Sequence, residues 1–143
     1  MTLNVDHLLR TAQTLEQALL AIGRTAPDDD VMFDLFRHAA ITRFELSSET
    51  AGKLLRKALK GYDASPRQVD SLVFNDVLRQ AGKHGLLDGP GVERWLAYRA
   101  NRNNTAHDYG EGFANITLKL LPAYLQDVRA LSIALQGAFN AAA

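Results

Sequence analysis

From residue 31 to about residue 60 the chain holds one helical rhythm, with Phe36, Ala40, Phe44, Ala51, Leu55, Ala58 and Tyr62 spaced mostly at three and four residues. A run of that length needs partners that can lie along it, and the other segments show the same period. Residues 3 to 22 carry Val5, Leu8, Leu9, Ala12, Leu15, Leu19 and Ile22 on one face, with Asn4 or Asp6 as cap and Gly23 as stop. Ser65-Pro66 opens a third helix expected to reach Lys83, because proline at the first helical position loses no hydrogen bond. The glycine-rich stretch through Gly89-Pro90-Gly91 reads as a loop, and a fourth helix runs from Val92 to about Asn103 around Trp95 and Leu96. The last helix carries Phe113, Ile116, Leu120, Tyr124, Val128, Leu131 and Leu135 at near-heptad spacing, with a kink expected at Pro122.

No segment alternates with the period of a strand. The expected fold is therefore all-α: an up-down four-helix bundle with an additional short helix, forming a single domain over residues 1–143 whose tail frays from about residue 137. One core suffices at this length. With no cysteine, disulfides and thiolate metal sites are excluded. No stretch has the apolar length of a membrane span and the N-terminus lacks a signal-peptide layout, so a soluble, cytoplasmic protein is expected. Sixteen basic and sixteen acidic side chains cancel, so any nucleic-acid contact must come from a local or dimer-assembled patch.

Two acidic features have ordinary explanations. Asp28-Asp29-Asp30 is suited to capping the long helix and offsetting its dipole, with no second acidic cluster nearby to complete a metal site. Glu45 and Glu49 lie one turn apart, and Glu49 precedes Lys53 by four residues, the orientation of an exposed helical ion pair; one of the two glutamates can still face the site described next.

The polar stretch that stands out is Arg102-Asn103-Asn104-Thr105-Ala106-His107-Asp108-Tyr109, which gathers a permanent cation, two amides, an imidazole, a carboxylate and a phenol. The arginine–histidine spacing alone means little, since Arg79 and His84 repeat it. Five residues turn an ideal helix so that the two side chains sit about 140° apart. The pair converges only if the helix ends between them, and Asn103-Asn104 is the expected stop, with Gly110 and Gly112 as a hinge.

This segment resembles the HEPN superfamily motif, and more closely its HepT-like branch of nucleotidyltransferase substrate-binding proteins, whose typical run is Arg-Asn-Leu-Thr-Ser-His-Thr-Tyr. Ile41-Thr42-Arg43-Phe44-Glu45 with Glu49 and Lys53-Leu54-Leu55-Arg56-Lys57, Ser65-Pro66-Arg67, and Leu121-Pro122-Ala123-Tyr124 are similar to other parts of that family, so the likeness spans roughly residues 5 to 131. Departures are Asn104, Ala106 and the small Ser47-Ser48 pair, while Asp108 adds a negative charge beside the histidine.

The resemblance implies a metal-independent endoribonuclease, without a cofactor. It would be the toxin of a two-gene toxin-antitoxin module, acting on RNA as a homodimer whose two motifs meet at the subunit interface. Arg102, Asn103 and His107 would carry the chemistry, with Glu45, Glu49 and Asp108 in support. A partner minimal nucleotidyltransferase would silence it by adding AMP to Tyr109 (AMPylation). Two alternatives stand beside this: a non-catalytic subunit that presents a nucleotide or substrate to a nucleotidyltransferase, and a motif that is only a polar helix cap.

Overall fold

A computed structural model describes the backbone of residues 2–62, 65–107 and 111–140, and the side chains of these apart from residues 103–107 and 111–113. Six helices make up the described chain: α1 Asp6–Arg24, α2 Asp30–Lys60, α3 Pro66–Ser71, α4 Phe74–Lys83, α5 Gly89–His107 and α6 Glu111–Phe139. The 31 residues of α2 extend about 46 Å at the rise of an α-helix. That length exceeds any single partner, so α1 and α6 pack along α2, and α3 and α4 meet it as well. Helix α5 is held by α4 on one side and α6 on the other.

The long helix starts where its aspartates allow. The Asp29 carboxylate accepts the Met32 N–H at 3.1 Å, which satisfies one of the donors left open in the first turn. Its inward stripe of Ala40, Phe44, Ser47, Ala51, Leu55, Ala58 and Leu59 is buried among α1, α6 and the short helices. A side chain such as Phe44, fully enclosed, stabilises the fold by roughly 1.5–3 kcal/mol.

Three boundaries differ from the sequence expectation. The expected third helix is broken into α3 and α4, because Leu72 and Val73 take extended backbone, with ψ 136 and 154. The Val69 carbonyl, which a continuing helix would bond to Val73, instead accepts the Leu72 N–H at 3.1 Å and the Arg56 guanidinium at 2.9 Å. The start of α5 is earlier than expected: the Asp88 carboxylate caps it by accepting the Gly91 N–H at 2.6 Å, so Gly89 and Pro90 form its first turn rather than a loop. A Cβ on Gly91 would lie 2.7 Å from Asp88 Oδ1, so a glycine is what lets the cap close.

Of the tail expected to fray from about residue 137, residues 141–143 are outside the described residues, and residues up to Phe139 lie in α6. Asn140 explains this, since its Oδ1 accepts the Leu3 N–H at 2.9 Å and its Nδ2 donates to the Leu3 carbonyl at 2.8 Å, tying the two ends of the described chain together. Pro122 sits inside α6. Gly112 lies within α6, and Gly110 is outside the described residues.

Candidate functional site

The bundle places a buried aromatic cluster directly before the motif. Trp95 and Tyr98 of α5 turn their rings edge-on to Tyr124 of α6, at 5.6 and 5.1 Å between centroids, and Phe44 of α2 closes the group at 4.8 Å. Trp95 is thus an anchor of the core. Tyr124 is fully enclosed and its hydroxyl meets Ser47 Oγ at 2.5 Å and Ser48 Oγ at 3.1 Å. Ser47 gives its own proton to the Phe44 carbonyl at 3.1 Å, so Tyr124 donates to Ser47 and accepts from Ser48. The Ser47-Ser48 pair, a departure from the resembled family, therefore has a specific partner. Burial pushes the Tyr124 phenol up to about 12, against the opposing pull of the two serine hydroxyls and of the nearby Arg102 charge.

Two polar ties fix α5 against α6. Arg94 grips Asp127 with two bonds of 2.9 Å, and Tyr98 donates to the same carboxylate at 2.5 Å. The bond to Asp127 raises the Arg94 pKa, and burial followed by that carboxylate raises the Tyr98 phenol. One turn nearer the motif, Thr117 donates to the buried Asn101 side chain at 2.8 Å. These anchors explain the main correction to the sequence reading: α5 does not stop at Asn103-Asn104 but stays helical through His107. Two asparagines cost about 1 kcal/mol in helix propensity, which is small beside the burial of Trp95 and Tyr98 one to two turns earlier, and no glycine arrives to terminate the helix before Gly110.

A helical backbone through residues 102–107 puts positions 102 and 107 about 140° apart around the axis. The helix end expected at Asn103-Asn104, between the two positions, is therefore not there. Positions 99, 103 and 107 instead follow one another at four-residue spacing along a single stripe. The side chains of Asn103 and His107 are not among those described, and Asp108 and Tyr109 lie outside the described residues altogether. The Tyr109 modification and the Asp108 contribution thus stay as sequence expectations.

Arg102 is half-buried, and its charge is felt both at the Tyr124 hydroxyl and at Arg99. Arg99, one turn earlier on α5, lays its guanidinium over the Phe74 ring at 4.6 Å from the centroid. Phe74 opens α4 and approaches α2 at Gly52, where an added Cβ would lie 2.5 Å from its Cε2. Burial, then the charges of Arg102 and Arg56, hold the Arg99 pKa below its ordinary value. Three arginines from α2 and α5 thus form a cationic group beside the motif. Sequence reading had Arg102 alone; Arg56 and Arg99 were missed because only the fold joins them.

The supporting glutamates separate in the fold. Glu49 is exposed and pairs with Lys53 at 3.4 Å, as its spacing implied. Glu45 is half-buried and shares its stripe of α2 with Ser48, Gly52 and Arg56, so it is the glutamate on the side of the cluster. His84, the decoy, is exposed and stacks on Tyr62 at 4.1 Å. A groove of about 370 Å³ beside it, lined by residues including Leu59, Val69, Leu72 and His84, includes none of the three arginines. Among the described residues no group of histidines and carboxylates could hold a metal ion. No helix there is long and apolar enough to cross a membrane.

Comparison with known proteins agrees with this architecture. A curated relative, the probable ribonuclease HepT of Haemophilus influenzae, is 29% identical over 112 residues, covering 76% of this chain and 75% of the relative. A solved structure from Haemophilus influenzae, described as revealing the fold of a substrate binding domain of a nucleotidyltransferase, matches with a TM-score of 0.81 at 24% identity. It covers 93% of this chain and 99% of that one. A crystal structure from Thermus thermophilus matches with a TM-score of 0.69 at 26% identity, covering 90% and 98%. The family model described as "Nucleotidyltransferase substrate binding protein like" matches residues 3–137, and the chain belongs to this family.

Proposed function

We propose that this protein is a metal-independent endoribonuclease, the HepT-like toxin of a two-gene module, which cleaves RNA by attack of a 2′-hydroxyl on the adjacent phosphodiester. The observation that carries the proposal is the cationic face of α5, where Arg99 and Arg102 stand one turn apart on the helix that continues to His107. A chain of zero net charge needs such a local patch to hold a polyanion. The likeness to a relative named as a probable ribonuclease supports the same reaction class.

The chemistry requires a base, an acid and a charge stabiliser. His107 takes the 2′-hydroxyl proton as the 2′-oxygen bonds to phosphorus. Arg102 holds the non-bridging oxygens and remains charged throughout. The bond from phosphorus to the 5′-oxygen breaks, a second imidazole protonates that oxygen, and the products are a 2′,3′-cyclic phosphate and a 5′-hydroxyl. Asn103 orients the phosphate or the imidazole. A helical backbone through residues 102–107 sets these two positions on different sides of the axis, which favours a homodimeric site in which a second copy of the chain completes the set. Tyr109 is the control point: a partner minimal nucleotidyltransferase transfers AMP from a nucleoside triphosphate to its phenol, releasing pyrophosphate, and the added phosphate repels RNA.

The family description favours a second reading, a non-catalytic subunit that presents substrate to a nucleotidyltransferase with Arg102 and His107 as phosphate ligands only. Incubation of RNA with purified protein in EDTA separates the two. Cleavage by the wild type that is lost in Arg102→Ala and His107→Ala supports the ribonuclease, whereas intact RNA, or equal cleavage by all three proteins, rejects it. Equal labelling of wild type and Tyr109→Phe by the partner enzyme would remove the adenylylation claim.

A further inference from the structure

Six carboxylates of the described residues are paired with cations outside the arginine cluster. Arg37 pairs with Asp34, Lys53 with Glu49, Lys60 with Asp70, Arg79 with Asp76, Arg94 with Asp127 and Arg129 with Glu16. Arg56 and Arg99, by contrast, meet no carboxylate among the described residues. Arg56 donates to a backbone carbonyl, that of Val69, and Arg99 rests on an aromatic face. Both are drawn partly out of water beside a third arginine, an arrangement in which like charges repel and desolvation adds to the cost. An anion placed among them relieves both penalties.

The support beneath Arg99 is built rather than incidental. Gly52 has no Cβ, so the Phe74 ring can lie against α2 at a distance that any other residue would block. The extended backbone at Leu72 and Val73 starts α4 at Phe74 and presents that ring, and the bond from Arg56 to the Val69 carbonyl helps to impose the break. Arg56 therefore fixes the turn that holds the platform, and the platform fixes the guanidinium plane of Arg99. A cation oriented in this way has less rotamer freedom left to lose when it binds a phosphate.

We propose that Arg99, seated on Phe74 and flanked by Arg56, is a second phosphate subsite, which grips the RNA phosphodiester neighbouring the one held by Arg102. This rests on the ribonuclease reading for the identity of the polyanion, though not on cleavage itself. Arg99 binds substrate and takes no part in proton transfer, so its loss acts on affinity and KM before kcat. Separation of one helical turn, about 5 Å along the axis, lets the two arginines engage different phosphates of one strand.

The test measures binding of a single-stranded RNA oligonucleotide to the His107→Ala protein by fluorescence anisotropy across a range of salt concentrations. Arg99→Gln in that background is expected to weaken binding about 10- to 100-fold, as for loss of a charge-assisted hydrogen bond. It should also reduce the slope of log K against log salt by about 0.7, one phosphate contact on a single strand. Arg99→Lys should recover part of the affinity, which a purely structural role would not predict. Arg79→Gln, a change at an exposed arginine paired with Asp76, is the control and should alter neither quantity. Thermal midpoints taken alongside separate lost binding from lost fold. The subsite is overturned if Arg99→Gln matches Arg79→Gln, if the parent protein fails to bind RNA, or if ATP binds with greater Arg99 dependence than the oligonucleotide does. Cleavage by protein with His107 intact reports separately on the ribonuclease reading: Arg99-dependent RNA binding without cleavage upholds the subsite and rejects the reaction. Cleavage with a KM indifferent to Arg99→Gln does the reverse.

Discussion

Replacing Tyr124 by phenylalanine tests whether the hydroxyl beneath the motif is a structural bond or a bystander. The ring itself should not move, because Phe44, Trp95 and Tyr98 enclose it edge-on and phenylalanine keeps the same shape. What disappears is one bond donated to Ser47 and one accepted from Ser48. Ser47 retains its bond to the Phe44 carbonyl, so no buried donor is orphaned there, and the half-buried Ser48 can turn to water. Two neutral bonds at about 0.5–1.5 kcal/mol each, without an orphan penalty, give a loss of about 1–3 kcal/mol. For a chain of 143 residues that lowers the thermal midpoint by roughly 3–12 °C. Urea denaturation is the direct assay, with the midpoint falling and the m-value holding. Adding Ser48→Ala to Tyr124→Phe should cost under about 0.5 kcal/mol beyond Tyr124→Phe alone, because the partner is already gone. Independent, additive losses would refute the bond network, and a loss above about 4 kcal/mol would mean that the ring had shifted.

Two further outcomes follow from the same packing. The Tyr124 phenol, at about 12 when folded against 10.0 ordinarily, keeps its proton after the unfolded chain has released it. Stability is unaffected by this group below pH 10, falls as pH rises from about 10 to about 12, and levels off above, a total of roughly 3 kcal/mol. Tyr98 is raised as well and acts in the same direction. Phenolate absorbance followed together with circular dichroism should show these tyrosines ionising only as the helices melt, and ionisation in the intact fold would contradict the assigned burial. Gly52→Val places branched carbons where Phe74 already lies and should destabilise by about 1–3 kcal/mol. The same substitution should weaken RNA binding through displacement of Arg99, so a stable variant with undiminished affinity would count against the platform.

Most of the bundle was legible in the sequence because helical periodicity and caps are local properties. The long helix begins at Asp30 behind an Asp29 cap and ends at Lys60, almost where its apolar rhythm and aspartates placed it. Where the reading failed, a partner distant in sequence had intervened. The break at Leu72-Val73 depends on Arg56 taking the Val69 carbonyl, thirteen positions away, and the helical tail depends on Asn140 reaching Leu3, 137 positions away. Arg99 carried no signal of its own, since nothing in its neighbourhood of the chain indicates that Phe74 will lie beneath it.

The misplaced helix stop has the largest consequence for function. An ending at Asn103-Asn104 would have let one chain fold its arginine and histidine toward a common phosphate. With Trp95, Tyr98 and Asn101 anchoring α5, the helix instead runs on to His107, and the divergence of about 140° is built into its backbone. This favours the proposed site being completed by a second copy of the chain. Activity should therefore depend on protein concentration in the range where the dimer dissociates. Mixing Arg102→Ala with His107→Ala gives the sharper test. If the two positions serve the same phosphate only across chains, heterodimers regain one pairing of Arg102 with a His107 imidazole, and with water serving the other proton transfer about half of the molecules in an equal mixture should recover partial activity. A mixture as inactive as either parent would count against the division of the site that the helical backbone favours.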